Sequence, residues 1–220
     1  MTAAGTSCAT ASGPKPCWCR DAMSQPIETL VCVDIESNGP VAGMHSMLAF
    51  AAVAFTLDGE ILAEFSRNLH PTDGMGEHPA TMAWWRTQPA PWAALQRDRV
   101  LPEAAMRDFE AWLRGLPGEP VLVSHPASFD YAFLHWYSFR FLGGVAFHIA
   151  GLDIPSYAMA VLGVPYTRAK RRHWPAHLND VASPHSHLPL DDARGHAMAF
   201  CNLARLRDAR LGQTHTDKEK

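Results

Sequence analysis

Apolar runs alternate with turn signals along this chain, and the alternation predicts most of its elements. Leu30-Val31-Cys32-Val33 is rich in β-branched residues and reads as a buried strand. It runs on through Asp34-Ile35-Glu36 to the turn cluster Ser37-Asn38-Gly39-Pro40. Met47 to Thr56 is apolar on both faces, a second strand. Leu57-Asp58-Gly59-Glu60 supplies a hairpin turn of the Asp-Gly type, and Ile61 to Leu69 pairs back as a third strand. Short helices are expected over Thr81 to Gln88 and Pro91 to Arg97. A better one runs from Pro102 to Leu116, where Met106, Phe109, Trp112 and Leu113 form an apolar stripe at helical spacing. Val121 to Ser124 is a fourth buried strand. Ser128 can cap the helix that follows to about Leu142, with Asp130 in its first turn. Val145 to Leu152 reads as a fifth strand ending at Asp153. Pro155 to Leu162 is a short helix stopped by Gly163, and Arg168 to His185 is irregular. Pro189 opens a long helix to about Arg210, with Ala193, Ala197, Phe200, Leu203 and Leu206 on one face.

Three sequential antiparallel strands, then helices alternating with two more strands, describe an α/β domain. Its sheet is five-stranded and mixed, the first strand is central, and helices cover both faces. Residues 1–26, rich in Ala, Thr, Ser, Gly and Pro, read as a flexible leader, with Met23 a second possible start; 27–212 form the domain and 213–220 a polar tail.

The 220 residues suffice for one domain with a substantial core. A net charge of −3 argues against a protein that coats nucleic acid non-specifically, though not against a local basic groove. The longest uncharged apolar run, Ser46 to Leu57, is too short to span a bilayer, and the N-terminus has no signal-peptide pattern. A cytoplasmic location is the default expectation, with no membrane partner. Of the cysteines, Cys32 and Cys201 lie in apolar segments and read as buried free thiols. Cys8, Cys17 and Cys19 lie in the leader, without a zinc-finger pattern.

Acidic residues change the picture. Asp34 and Glu36 are two apart on a strand, so they share a face. Two carboxylates held together repel, and a divalent cation with a taste for oxygen, Mg²⁺ or Mn²⁺, removes that cost. The bland alternative is a solvated pair where a strand frays. Asp130 and Asp192 each fall in the first turn of a helix, where they could simply complement the helix dipole. His187 stands five residues before Asp192. Together these segments put acids where an open α/β sheet builds its site, at the carboxyl ends of strands.

Three of these segments resemble the motifs of the DnaQ-like (DEDDh) 3′–5′ exonucleases, of ribonuclease H-like fold. Val33-Asp34-Ile35-Glu36 matches the family's Asp-x-Glu strand. Ser124-His125-Pro126-Ala127-Ser128-Phe129-Asp130 is similar to the second motif, with Pro126 where the family usually has Asn. His187-Leu188-Pro189-Leu190-Asp191-Asp192 has the His-x4-Asp spacing of the third. The resemblance covers roughly residues 28–210. It implies that Asp34, Glu36, Asp130 and Asp192 hold two divalent cations, with Asp34 bridging. His187 would be the general base, and nucleoside 5′-monophosphates would leave a single-stranded 3′ end. RNA or short oligonucleotides are favoured over DNA, and a homodimer is possible by analogy. His125 is treated as structural, and His185 is a rival base at the wrong spacing.

Substrate contacts are expected from Trp84 and Trp85, by stacking on terminal bases. Arg168 and Arg171, in a basic cluster with Lys170, Arg172 and His173, would steer the phosphate backbone. Ser37 and Asn38 would approach the terminal nucleotide through backbone groups. The alternatives are a DNA 3′-end trimming or repair enzyme, an inactive nucleic-acid-binding module, and a metal-binding protein using His173, His177, His185 and His187.

Overall fold

In a computed structural model, residues 28–179 and 186–216 are described. The expected leader, its three cysteines and Met23, as well as His185 and the end of the tail, lie outside the described residues. Five strands, β1 (Glu28–Ser37), β2 (Met47–Phe55), β3 (Ile61–Asn68), β4 (Glu119–Ser124) and β5 (Leu152–Asp153), form one sheet in the order β3-β2-β1-β4-β5. β1 is central, antiparallel to β2 and parallel to β4; β2 and β3 pair antiparallel, and β4 and β5 parallel. The expected mixed sheet is therefore present. Every residue of β2 is buried, as its two-sided apolar pattern requires.

Among the described residues six α-helices accompany the sheet: α1 (Pro79–Trp85), α2 (Pro89–Leu95), α3 (Pro102–Arg114), α4 (Ala127–Leu142), α5 (Ile154–Leu162) and α6 (Pro189–Thr216). Alternation along β1 divides the core. Val31, Val33 and Ile35 pack with Met106, Phe109, Phe133 and Tyr137 of α3 and α4. Cys32 faces the other way, into a core with Ile154, Ala158, Ala197, Phe200 and Leu203 of α5 and α6. Asp34 and Glu36 continue that second face. Opposite them on β2 stand Ala51 and Ala49, whose methyl groups leave the acids space. Ala49 also belongs to a small cluster with Trp85 and Leu95, so α1 and α2 close the Glu36 end of this face.

The fifth strand is far shorter than expected. Only Leu152 and Asp153 form ladder pairs with β4; before them the His148 N–H makes a single bond to that strand, donating to the Pro120 carbonyl at 3.1 Å. The Tyr131 hydroxyl of α4 donates to the His148 carbonyl at 2.6 Å, and Phe147 is buried against the α4 side of the sheet. A Cβ on Gly151 would sit 2.3 Å from the Tyr131 ring, so this close approach needs glycine. The cap of α4 also differs. The helix starts at Ala127, and Pro126 rather than Ser128 holds the N-cap position. Asp153 supplies the missing acceptor, taking the Ala127 N–H at 3.0 Å and, on its other oxygen, the Ser156 N–H of α5 at 2.8 Å. At the other end α6 runs to Thr216, past the expected stop near Arg210. Helix propagation costs little once a helix is nucleated, and the segment carries no proline. Among the described residues, no helix is long and apolar enough to cross a membrane.

Candidate active site

The expected acids meet on the α6 side of β1. Asp34, Asp130 and Asp192 are all buried, at 9 %, 3 % and 2 % exposure, too enclosed for solvated surface carboxylates. Asp130 reaches from the first turn of α4 to accept the Ile35 N–H at 3.3 Å, between the two β1 acids in sequence. Its other oxygen, Oδ2, is buried and has no hydrogen-bond partner among the described residues.

The third motif folds so that its spacing has a local cause. Asp192 lies in the first turn of α6, and its carboxylate reaches back over the preceding loop. Oδ1 accepts the Ser186 N–H and Oδ2 the His187 N–H, each at 3.0 Å. His187 has φ 57°, a left-handed backbone at the turn that leads into α6. Ligand atoms of Glu36, His187 and Asp192 lie within 4.8 Å of one another. The His187 ring stands edge-on to Trp84, with ring centroids 4.8 Å apart.

Crowding shows in the ionisation of the acids. Burial, then the charges of Asp192 and Asp130, pushes Glu36 up to about 9. Burial raises Asp130 to about 8 against the opposing Ile35 N–H. Asp34 is driven well above the carboxylate range by burial, then by Asp130, Glu36 and Asp192. Burial and mutual repulsion thus favour the protonated forms of Asp34, Glu36 and Asp130 unless a cation joins them. The donor set is carboxylate oxygens with one imidazole, and Asp130 Oδ2 is an acceptor lacking a donor among the described residues. Such a set fits a hard divalent ion such as Mg²⁺ or Mn²⁺.

The proposed substrate contacts divide. Trp84 is 38 % exposed, beside His187. Trp85 is 1 % exposed, and its indole N–H donates to the Ser37 carbonyl at 2.9 Å. Trp85 is thus a core residue, and base stacking by it is ruled out. Ser37 and Asn38 are also structural. The Ser37 hydroxyl donates to the Gly39 carbonyl at 2.8 Å. Asn38 closes the following loop, its N–H donating to the Ser46 carbonyl at 3.0 Å and its Oδ1 accepting the Ser46 N–H at 2.7 Å. Its own carbonyl takes the His78 N–H at 2.9 Å. With these backbone groups engaged internally, Ser37 and Asn38 shape the rim rather than greet a nucleotide. Arg168 is exposed at the end of a 3₁₀ turn (Tyr166–Arg168), whereas Arg171 is half-buried and turned inward.

Arg171 leads to a residue the sequence reading passed over. Its Nη1 lies 2.9 Å from His196 Nδ1. A guanidinium only donates, so Nδ1 accepts and the proton of a neutral His196 sits on Nε2. That nitrogen is 3.7 Å from Asp34 Oδ1. His196 also stacks on His125, with ring centroids 5.0 Å apart, so His125 is nearer the acids than a purely structural role suggested. The available signal was helical spacing: His196 is four residues after Asp192 and shares its face of α6. His173 and His177 are exposed on separate 3₁₀ turns. Among the described residues, the one group of side chains placed to hold a metal is Glu36, His187 and Asp192.

This is the ribonuclease H-like sheet of the DEDDh exonucleases. The chain is similar to the nuclease domain of 3′hExo, a DEDDh family member bound to rAMP. The TM-score is 0.61 at 14 % identity, over 84 % of this chain and 94 % of that one. It is likewise similar to *E. coli* Exonuclease I in complex with a dT13 oligonucleotide (TM-score 0.62, 15 % identity), covering 86 % of this chain and 43 % of that larger one. More specifically, the chain belongs to the Rv2179c-like 3′–5′ exoribonuclease domain family, which it matches over residues 29–203. It is a nuclease of that family. It is also 32 % identical over 182 residues to the 3′–5′ DNA exonuclease Cap18 of *Escherichia coli*, spanning 79 % of this chain and 90 % of the relative.

Proposed function

We propose that the protein is a divalent-metal-dependent 3′–5′ exonuclease that removes nucleoside 5′-monophosphates from single-stranded ends, with His187 as general base. The observation that carries this reading is the convergence of Glu36, His187 and Asp192 within 4.8 Å. Asp34 and the half-satisfied Asp130 stand beside them.

Asp34, Glu36, Asp130 and Asp192 would hold two cations, Mg²⁺ or Mn²⁺. Bound there, the ions would supply Lewis-acid stabilisation of the charge that develops on the phosphoryl group. The protein's own groups do the rest. Water attacks phosphorus in line with the terminal P–O3′ bond, and the His187 imidazole accepts its proton. The P–O3′ bond breaks, the shortened strand leaves with its 3′-oxygen, and that oxygen takes up a proton. Trp84 limits the swing of the His187 ring and offers its exposed face to a base. The Ser186 and His187 N–H groups hold Asp192 in place, so base and ligand are set by one loop.

RNA or short oligonucleotides are the favoured polymer, in keeping with the family's description. A DNA reading also has a specific support, the likeness to Cap18. Matched single-stranded RNA and DNA, labelled at either end and incubated with Mg²⁺, Mn²⁺ or chelator, test both. A ladder from the 5′-labelled strand and immediate mononucleotide release from the 3′-labelled strand are expected. Cleavage that persists in chelator, or that begins at the 5′ end, would overturn the proposal.

A further inference from the structure

At Asp34 opens a cavity of about 520 Å³, of which the chemistry above uses only that one lining residue. It is lined by Asp34, His125, Arg171, Arg172, Asn179 and His196. Its basic wall is built rather than incidental. Arg171 donates from Nη1 to His196 Nδ1 at 2.9 Å and from Nε to Asn179 Oδ1 at 3.4 Å. Its carbonyl accepts from Asn179 Nδ2 at 2.8 Å, so Asn179 grips both ends of the residue. These contacts engage two of the five N–H groups that a guanidinium carries. A fork fixed this way at a cavity wall suits bidentate recognition of phosphate, where a lysine would be a looser point charge. Arg172 adds a second guanidinium on the exposed side. The stacked rings of His125 and His196 and the Asn179 amide complete the wall, and through their contacts His196 and Asn179 hold the Arg171 guanidinium beside the acid cluster.

We propose that this cavity is a second nucleotide-phosphate subsite. It rests on the exonuclease reading. With the scissile phosphate at the acids, Arg171 and Arg172 hold a further phosphate, that of the linkage immediately upstream in the retained strand. The same chemistry would also take the phosphate of a free mononucleotide. The subsite makes cleavage depend on a charge one nucleotide away from the broken bond. It thereby favours strands of at least three nucleotides, in which that upstream linkage exists, over dinucleotides.

The test uses a short labelled strand and its twin with an uncharged methylphosphonate at the upstream linkage. In the wild type the neutral linkage should raise KM about tenfold, the scale of one charge-assisted hydrogen bond. In Arg171→Gln the same change should cost less than twofold, because the partner is already gone. Arg172→Gln, altering an exposed side chain, should show a weaker version of the same coupling. It keeps the test valid if Arg171→Gln melts early. A parallel arm measures inhibition by a nucleoside 5′-monophosphate. If Arg171→Gln relieves that inhibition and the methylphosphonate penalty is unaltered, the phosphate held is the free nucleotide's and the upstream assignment falls. If neither quantity depends on either arginine, the subsite itself is refuted. Strand binding to the Asp192→Asn protein, followed by fluorescence anisotropy, separates this from the activity. Arginine-dependent binding without wild-type cleavage would sink the nuclease reading alone. Cleavage without the coupling would sink the subsite alone.

Discussion

Replacing Glu36 by Gln should stabilise the metal-free protein while abolishing its activity. Burial and the neighbouring acids lift the Glu36 carboxyl from an ordinary 4.5 to about 9. The sign follows from linkage. A group whose folded pKa is raised contributes stability in full below its unfolded value, and loses that contribution as pH climbs to the folded one. For Glu36 the window therefore runs from about 4.5 to about 9. At pH 7.5 the unfolded chain has released a proton that the fold retains. At roughly 1.36 kcal/mol per pH unit, the cost approaches about 4 kcal/mol. Gln has the same shape and needs no proton. Its amide must still find partners, so a net gain of about 1–3 kcal/mol is expected, or about 3–9 °C in a domain of this size. Thermal melts from pH 5 to 9 in chelator, followed by circular dichroism, read this directly. The wild type should lose Tm steadily as pH rises, and Glu36→Gln should lose less. Mg²⁺ or Mn²⁺ should restore the wild type far more than the variant. A Glu36→Gln protein that melts below the wild type at pH 8 in chelator would refute the reasoning. So would a wild-type Tm indifferent to pH across that window.

Three further outcomes are expected. Asp192→Asn should cut the cleavage rate at least about a thousandfold, since it alters an oxygen proposed to hold a cation and the acceptor for the Ser186 and His187 N–H groups together; single-turnover assays across a Mn²⁺ titration check this. His187→Ala should lower kcat by about 10²–10⁴ with little change in KM, and should remove from the pH–rate profile the acidic limb, on which activity falls as the imidazole takes up a proton. Trp84→Ala should weaken binding of the strand by about 1–3 kcal/mol at an almost unchanged Tm, whereas Trp85→Ala should cost about 3–5 kcal/mol of stability by emptying a buried site. Comparing KM and melting temperature for the two tryptophan variants distinguishes them.

Much of this protein is determined within short stretches of chain. Strand alternation alone puts Asp34 and Glu36 on one face, and the first turn of α6 alone brings Asp192 back over the His187 loop, so both motifs could be recognised from spacing. Apolar periodicity likewise marks β2, α3 and α6, because each buries a face whose pattern is written in its own residues. Other outcomes rest on partners far away in sequence. Trp84 and Trp85 are chemically alike, and only the approach of Ala49 and the Ser37 carbonyl decides that Trp85 is the buried one. The Val145–Leu152 run is apolar enough for a strand, yet with the His148 carbonyl taken by Tyr131 and Gly151 packed against that ring, only its end, Leu152, joins the β4 ladder. Ser37 and Asn38 look available beside an acidic pair until the loop closes back on Ser46. Arg171 reads as one charge in a surface run, and tertiary packing turns it inward onto His196. Periodicity reports which residues share a face, whereas what covers that face is set by contacts between elements, and those exist only once the sheet and helices have assembled.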